Sequence, residues 1–131
     1  MAKIKTLEEV RKYIDKEYWE AGTKSGYKDT DVCNWWWVNR WLQCFTQVIG
    51  VSDKRVLDLG CAMGGFVAGL LTWGADACGI DISDYAIRKG KEKLSYLNDR
   101  IFQGSCHDLS GWPSEFFDVI YSNQVFEHIP E

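Results

Sequence analysis

The sequence predicts an α/β fold in which a parallel sheet is wound with helices, and three observations predict it. Short apolar runs recur at residues 55–59, 76–80, 100–103 and 117–122. The first two gaps between these runs carry apolar residues at helical spacing. Breakers or carboxylates stand where the first three runs end: Gly60, Asp81 and Gly104. Strand-helix alternation joined by right-handed crossovers gives a parallel sheet, covered on both faces.

The elements follow in order. Thr6-Leu7-Glu8-Glu9 has capping-box form, with Thr6 as N-cap and Glu9 at N3. Leu7, Val10, Ile14 and Tyr18 continue a helical stripe to about Glu20. Residues 21–33 form a polar loop. Asn34 caps a second helix running to Ile49, with Gly50 as its stop. Val38, Trp41, Leu42, Phe45, Val48 and Ile49 make its buried face. Trp35, Trp36 and Trp37 cannot share one face, so at least one is exposed or covers a ligand. These two helices pack on the flank of the sheet.

Arg55–Leu59 is a buried strand and Gly64–Trp73 a helix, with Gly74 as the break. Asp76–Ile80 is the second strand and ends at Asp81. Ser83 caps a helix from Asp84 to about Leu97, basic towards its end as the helix dipole prefers. Arg100–Gln103 is the third strand, Gly104–Ser114 a loop, and Phe117–Ser122 the fourth strand. A further helix begins near Val125. Residues 1–52 thus form an N-terminal helical cap or lid, and residues 53–131 the α/β domain.

Bulk properties suit one such domain. The chain has 131 residues, 46% hydrophobic and 26% charged, an ordinary globular balance. A net charge of −4 argues against a general phosphate-binding surface, so a nucleic-acid partner is not expected. Cys33, Cys44, Cys61, Cys78 and Cys106 are odd in number and lack a C-x-x-C pair, which points away from zinc and disulfides. Reduced thiols suit a cytoplasmic protein. The N-terminus lacks an apolar signal core, and no apolar run approaches a membrane span.

The chemistry concentrates at the strand ends. Residues 55–66 read Arg-Val-Leu-Asp-Leu-Gly-Cys-Ala-Met-Gly-Gly-Phe: a strand, a tight turn and a helix start. Such a turn lets a ligand approach the backbone and presents free N–H groups to it. Asp58 beside the glycines would repel a pyrophosphate and attract an ammonium or sulfonium group. Asp81 is placed to accept hydrogen bonds from two ribose hydroxyls. In a doubly wound sheet such strand ends line one crevice, where ligands bind. Taken singly, each feature also has a bland reading, as a turn or a helix cap.

Residues 56–66 resemble the first motif of the S-adenosylmethionine-dependent methyltransferases with the Rossmann-like fold. Gly79-Ile80-Asp81-Ile82-Ser83 resembles the second motif. Residues 117–130 are similar to the segment around the fourth strand, closest to the small-molecule branch. The resemblance covers about residues 53–131. It implies a three-layer sandwich with strand order 3-2-1-4, truncated from seven strands. It implies S-adenosylmethionine as cofactor and S-adenosylhomocysteine as product.

The resemblance also implies roles for single residues. Asp58 attracts the methionine ammonium, directly or through water, and Gly60, Cys61 and Ala62 pass beneath the methionine and ribose. Gly64 belongs to the same turn. Asp81 holds the ribose hydroxyls, Ile82 packs on the adenine, and the Gly104-Ser105-Cys106 loop edges it. Asn123 offers its carbonyl near the ammonium. Two positions depart from the pattern: Ala62 replaces the usual middle glycine, and Ser105 stands where an acidic residue is common, with His107 or Asp108 as possible substitutes. His128 is the candidate base if the acceptor is protonated, against a structural or substrate-rim role. Cys61 and Cys106 lack a paired base and are not nucleophiles. Tyr18, Trp19 and Tyr27 are the best candidates for a lid over the sulfonium, against simple packing.

The resembling family continues beyond a fourth strand, so the chain reads as a truncated product that keeps the cofactor half. The open strand edge then favours a homo-oligomer. The acceptor is expected to be a small molecule, with no membrane partner. Two alternatives stand: a non-catalytic S-adenosylmethionine-binding module or subunit, and an NAD-dependent oxidoreductase, since Gly60, Ala62 and Gly65 imitate G-x-G-x-x-G with one substitution.

Overall fold

Four strands pair in the order β3-β2-β1-β4, all parallel, in a computed structural model that describes residues 6–20, 35–123 and 125–129. The strands are β1 (Arg55–Leu59), β2 (Asp76–Asp81), β3 (Ile101–Gln103) and β4 (Val119–Ser122). The helices are α1 (Leu7–Tyr13), α2 (Lys16–Glu20), α3 (Trp35–Val48), α4 (Gly65–Thr72) and α5 (Asp84–Lys93). The strand order is the expected one.

Strand alternation sorts the apolar residues onto two faces. Val56, Ala77 and Ile101 join Leu42 of α3, Val67 and Leu70 of α4, and Ile87 of α5 in one core. Leu57, Leu59 and Ile80 face the other way, against Cys106, Leu109, Trp112 and Phe117. The handedness of crossovers explains this division. Steps from β1 to β2 to β3 run in one direction, so α4 and α5 share a face, whereas the step back from β3 to β4 must cross the opposite face. That step is an irregular segment, not a helix. Both faces are covered, as expected: among the described residues one face carries helices, and the other carries the 104–118 segment. Ile120 of β4 remains 55% exposed.

Several boundaries differ from expectation for local reasons. The single helix expected to Glu20 is two helices. The capping box at Thr6 forms as expected, with Glu9 N donating to Thr6 Oγ1 and Thr6 N to Glu9 Oε2. Ile14 then leaves helical geometry, and Asp15 Oδ1 accepts from Tyr18 N at 3.2 Å, starting α2. An aspartate that can bond its own backbone competes with helix continuation. The helix expected to Leu97 ends at Lys93, because Leu94 adopts φ −132° and ψ 86°, and a 3₁₀ turn covers Ser95–Leu97. That turn inserts Leu97 fully into the core. After β4 a 3₁₀ turn, Phe126–His128, stands where a helix was expected.

On α3, Leu42 is fully buried and Phe45 packs against the core, as expected. Val48 is not on the buried face: it is 82% exposed. Asn34 and Tyr27, and the side chains of Trp35, Trp36, Trp37, Val38 and Trp41, lie outside the described residues. Cys44, Cys61, Cys78 and Cys106 are free thiols. No helix among the described residues is long and apolar enough to cross a membrane.

Candidate functional site

The turn after β1 is held by β2. Gly60 N and Cys61 N both donate to Ile80 O, at 2.8 and 2.9 Å. Ala62 N donates to Asp81 Oδ2 at 2.9 Å, and Gly64 N to Cys61 O at 2.8 Å. Four amides of the turn are thus already satisfied. The expectation that they stand free for a ligand is corrected, because Ile80, Asp81 and Cys61 accept them first. A pyrophosphate-binding loop works by offering amides to phosphate oxygens. This turn stands beside carboxylates instead.

The turn is made by left-handed backbone. Gly60 has φ 78° and Gly64 has φ 81°. A methyl at Gly60 would fall 2.2 Å from Val125 Cγ2, so the segment after β4 lies directly over the turn. A methyl at Gly64 would meet Leu97 Cδ1 at 2.9 Å and Ile101 Cγ2 at 3.0 Å. Ala62 adopts φ 50°, an uncommon conformation for a residue with a Cβ. Its amide bond to Asp81 helps to hold it there.

Asp81 is 8% exposed, with Oδ1 accepting from Ser83 N at 2.8 Å and Oδ2 from Ala62 N. Burial raises its pKa, and these two amides oppose the rise without cancelling it. Each oxygen keeps a lone pair for a further donor. Ser83 Oγ caps α5 through Ala86 N at 3.1 Å and also accepts from Trp19 Nε1 at 3.1 Å.

Asp58 differs from Asp81. It is 4% exposed, and among the described residues no hydrogen bond or ion pair engages its carboxylate. Burial first, and then the charge of Asp81, push its pKa to about 8. The pair forms a desolvated spot at the ends of β1 and β2. A cation entering there favours the ionised form of Asp58 and then gains from its charge.

β4 closes the other side. Tyr121 is the register partner of Asp58. Its ring stacks on Phe66 at 4.2 Å and meets the edge of Phe45 at 5.2 Å. Burial and Asp58 push its pKa to about 12, against a hydrogen bond with the Asn123 side chain. The hydroxyl therefore stays protonated at neutral pH. Sequence reading missed Tyr121; the signal for it is the period-2 step from Val119, which already faces the core.

The remaining expected site residues divide. Gly104 N donates to Asp81 O at 2.9 Å, which brings the 104–106 loop to the end of β2. Ile82 is half-buried there, and its carbonyl accepts from Gln103 Nε2. Cys106 sits close enough to Asp81 for that charge, with burial as the larger cause, to raise its thiol pKa. Ser105 Oγ accepts from His107 N at 3.2 Å within its own loop. Asp108 is turned towards Ser110, not the site. Asn123 is exposed beyond β4 and bonded to Tyr121. His107 and His128 are both exposed. Cys61 is buried, and burial above all raises its thiol pKa well beyond the ordinary value, which fits an inert thiol. Tyr18 and Trp19 are 7% and 6% exposed and pack with Met63, Tyr85 and Ala86, so neither is an open lid in this structure. No group of three or more metal-binding side chains occurs among the described residues.

Comparison with known proteins is consistent with this geometry. Residues 57–131 match a family model described as a methyltransferase domain. The ubiquinone biosynthesis O-methyltransferase of Nitrosomonas europaea is 29% identical over 84 residues, covering 63% of this chain and 36% of that protein. Its counterpart in Paraburkholderia phymatum is 30% identical over 96 residues, covering 70% and 39%. The chain thus spans little more than a third of the length of these curated relatives. Magnesium protoporphyrin IX methyltransferase from Synechocystis, solved with bound S-adenosylmethionine, aligns with a TM-score of 0.65 at 20% identity, covering 99% of this chain and 67% of that one. At that identity the likeness shows the fold.

Proposed function

The chain belongs to the methyltransferase-domain family, and on that premise we propose that it holds S-adenosylmethionine for methyl transfer to a small-molecule acceptor. The observation that carries this reading is the Asp58 carboxylate, buried beside Asp81 with no donor of its own among the described residues. An aminoacyl cation meets that demand; a pyrophosphate would add negative charge and find the amides of residues 60, 61, 62 and 64 already used. The same observation weighs against the nicotinamide alternative.

The residues fit the cofactor from end to end. Asp58 would attract the ammonium. Gly60 and Gly64 give the turn its left-handed backbone, and Val125, Leu97 and Ile101 pack where a Cβ would stand. Asp81 would accept from the ribose hydroxyls through the lone pairs that Ser83 N and Ala62 N leave open. Ile82, Ser105 and Cys106 would edge the adenine. The bound cofactor supplies a methyl group already activated on a sulfonium. The chain's part is to orient it and to exclude water.

A small-molecule acceptor is supported by the resemblance of residues 117–130, by the net charge of −4, and by relatives named for ubiquinone biosynthesis. A second reading, a module that binds the cofactor without turnover, draws on the exposure of both His107 and His128, neither of which is held at the site. Titration calorimetry with S-adenosylmethionine and S-adenosylhomocysteine tests the binding claim. Failure to bind either one overturns it. Transfer of a labelled methyl group into a small-molecule extract separates the enzyme from the silent module.

A further inference from the structure

We propose that Trp19 is a positioning residue for the Asp81 carboxylate, so that docking of α2 and occupation of the ribose end of the site are coupled. The proposal rests on the reading of Asp81 as the ribose ligand. Three contacts in series carry it. The indole Nε1 of Trp19 donates to Ser83 Oγ at 3.1 Å, inside the protein and across 64 residues of sequence. Ser83 is 1% exposed, and its amide donates to Asp81 Oδ1 at 2.8 Å. The other oxygen of Asp81 is held by Ala62 N.

α2 supports both arms of that grip. Trp19 and Tyr18 pack with Met63, Tyr85 and Ala86, and Ala62 packs against the same cluster. One arm is thus supported by a hydrogen bond to Ser83, the other by packing on Ala62 and Met63. A second polar tie stands beside them, from the Tyr85 hydroxyl to the Glu20 carboxylate. A five-residue helix has no stability of its own. The order of α2 therefore comes from this docking, and whatever tightens Asp81 must also tighten α2. Coupling of this kind is reciprocal.

The test compares S-adenosylhomocysteine with its 2′,3′-dideoxyribose analogue by titration calorimetry. Trp19→Phe keeps one six-membered aromatic ring and deletes the pyrrole ring with its N–H; the packing lost with it acts on both ligands alike. It should weaken S-adenosylhomocysteine about fivefold, the effect of one neutral hydrogen bond, and leave the analogue within about twofold. Equal weakening of both ligands would make Trp19 a merely structural residue and overturn the proposal, as would no change in either. If the wild-type chain binds the two ligands equally, the ribose reading of Asp81 fails first, and the wild-type data alone reveal it. A measurement independent of the variant uses the Trp19 indole N–H resonance, assigned through its contacts with Met63 and Ala86. S-adenosylhomocysteine should slow its hydrogen exchange about fivefold or more, and the analogue should not. Exchange indifferent to S-adenosylhomocysteine overturns the coupling.

Discussion

Ala62, in left-handed backbone at φ 50°, donates its amide to Asp81 Oδ2 at 2.9 Å. One hydrogen bond thereby joins the turn after β1 to the carboxylate that ends β2. Ala62→Gly relieves the strained φ but adds unfolded-state entropy, and these effects oppose each other at about 1 kcal/mol each. Stability in urea should change by less than about 1 kcal/mol, with S-adenosylhomocysteine affinity retained. Ala62→Pro deletes the donor and forbids positive φ, and should cost about 3 kcal/mol or more. A Pro variant that binds the ligand like wild type would show the bond to be irrelevant.

The two carboxylates set a pH dependence with a definite sign. Asp58 is raised from an ordinary 3.8 to about 8 by burial and then by Asp81, and Asp81 is itself raised by burial. A raised acid means that the folded chain binds more protons than the unfolded chain between those values. Its contribution to stability is complete below about pH 4 and is lost as pH rises to about 8. The ligand-free chain should therefore lose stability across that window, and Asp58→Asn should flatten the loss. Thermal melts from pH 5 to pH 8.5 check this.

The same linkage acts on binding. A cationic ammonium beside Asp58 favours its ionised form, so binding at pH 7 should release up to one proton. Calorimetry in two buffers of different ionisation enthalpy reads that proton directly. Asp58→Asn should abolish the release and weaken S-adenosylhomocysteine by about tenfold or more, as loss of a charge-assisted contact would. Buffer-independent heats in the wild type would mean that Asp58 does not meet the cation.

Gly60 is constrained twice, by φ 78° and by Val125 Cγ2 at 2.2 Å from any added methyl. Gly60→Ala should destabilise by about 2–4 kcal/mol, from left-handed strain plus overpacking. Val125→Ala in the same chain removes the clash but not the strain. The double variant should recover part of the loss and leave about 1–2 kcal/mol. Full recovery would show that packing alone fixes the glycine.

Much of the site was legible because it is local. Asp58, Gly60 and Gly64 lie within one strand-turn-helix, and Asp81 ends a run whose pattern is plain. The strand order followed from the resemblance, and crossover handedness explains which face each helix takes. What escaped were competitions settled at a distance. The turn amides seemed free because nothing in residues 60–64 shows that Ile80 O accepts two of them. Trp19 invited a lid reading because its partner, Ser83, lies 64 residues away. Asp15 broke the first helix by bonding Tyr18 N, a choice that the apolar stripe from Leu7 to Tyr18 does not reveal.

Tyr121 separates packing from polarity beside Asp58. Its ring lies stacked on Phe66, with an interplanar angle of 18°, and against the edge of Phe45, which knits α3, α4 and β4 together. Its hydroxyl bonds Asn123 and sits near Asp58. Tyr121→Phe keeps the ring and should cost about 1 kcal/mol at most. Because the hydroxyl stays protonated at neutral pH, its removal should barely move the proton release on binding. Tyr121→Leu loses both aromatic contacts and should cost about 2–3 kcal/mol. Chemical denaturation of the two variants measures both numbers. Equal losses would place the contribution of Tyr121 in its hydroxyl, and the aromatic cluster would then not be what holds β4 against the helices.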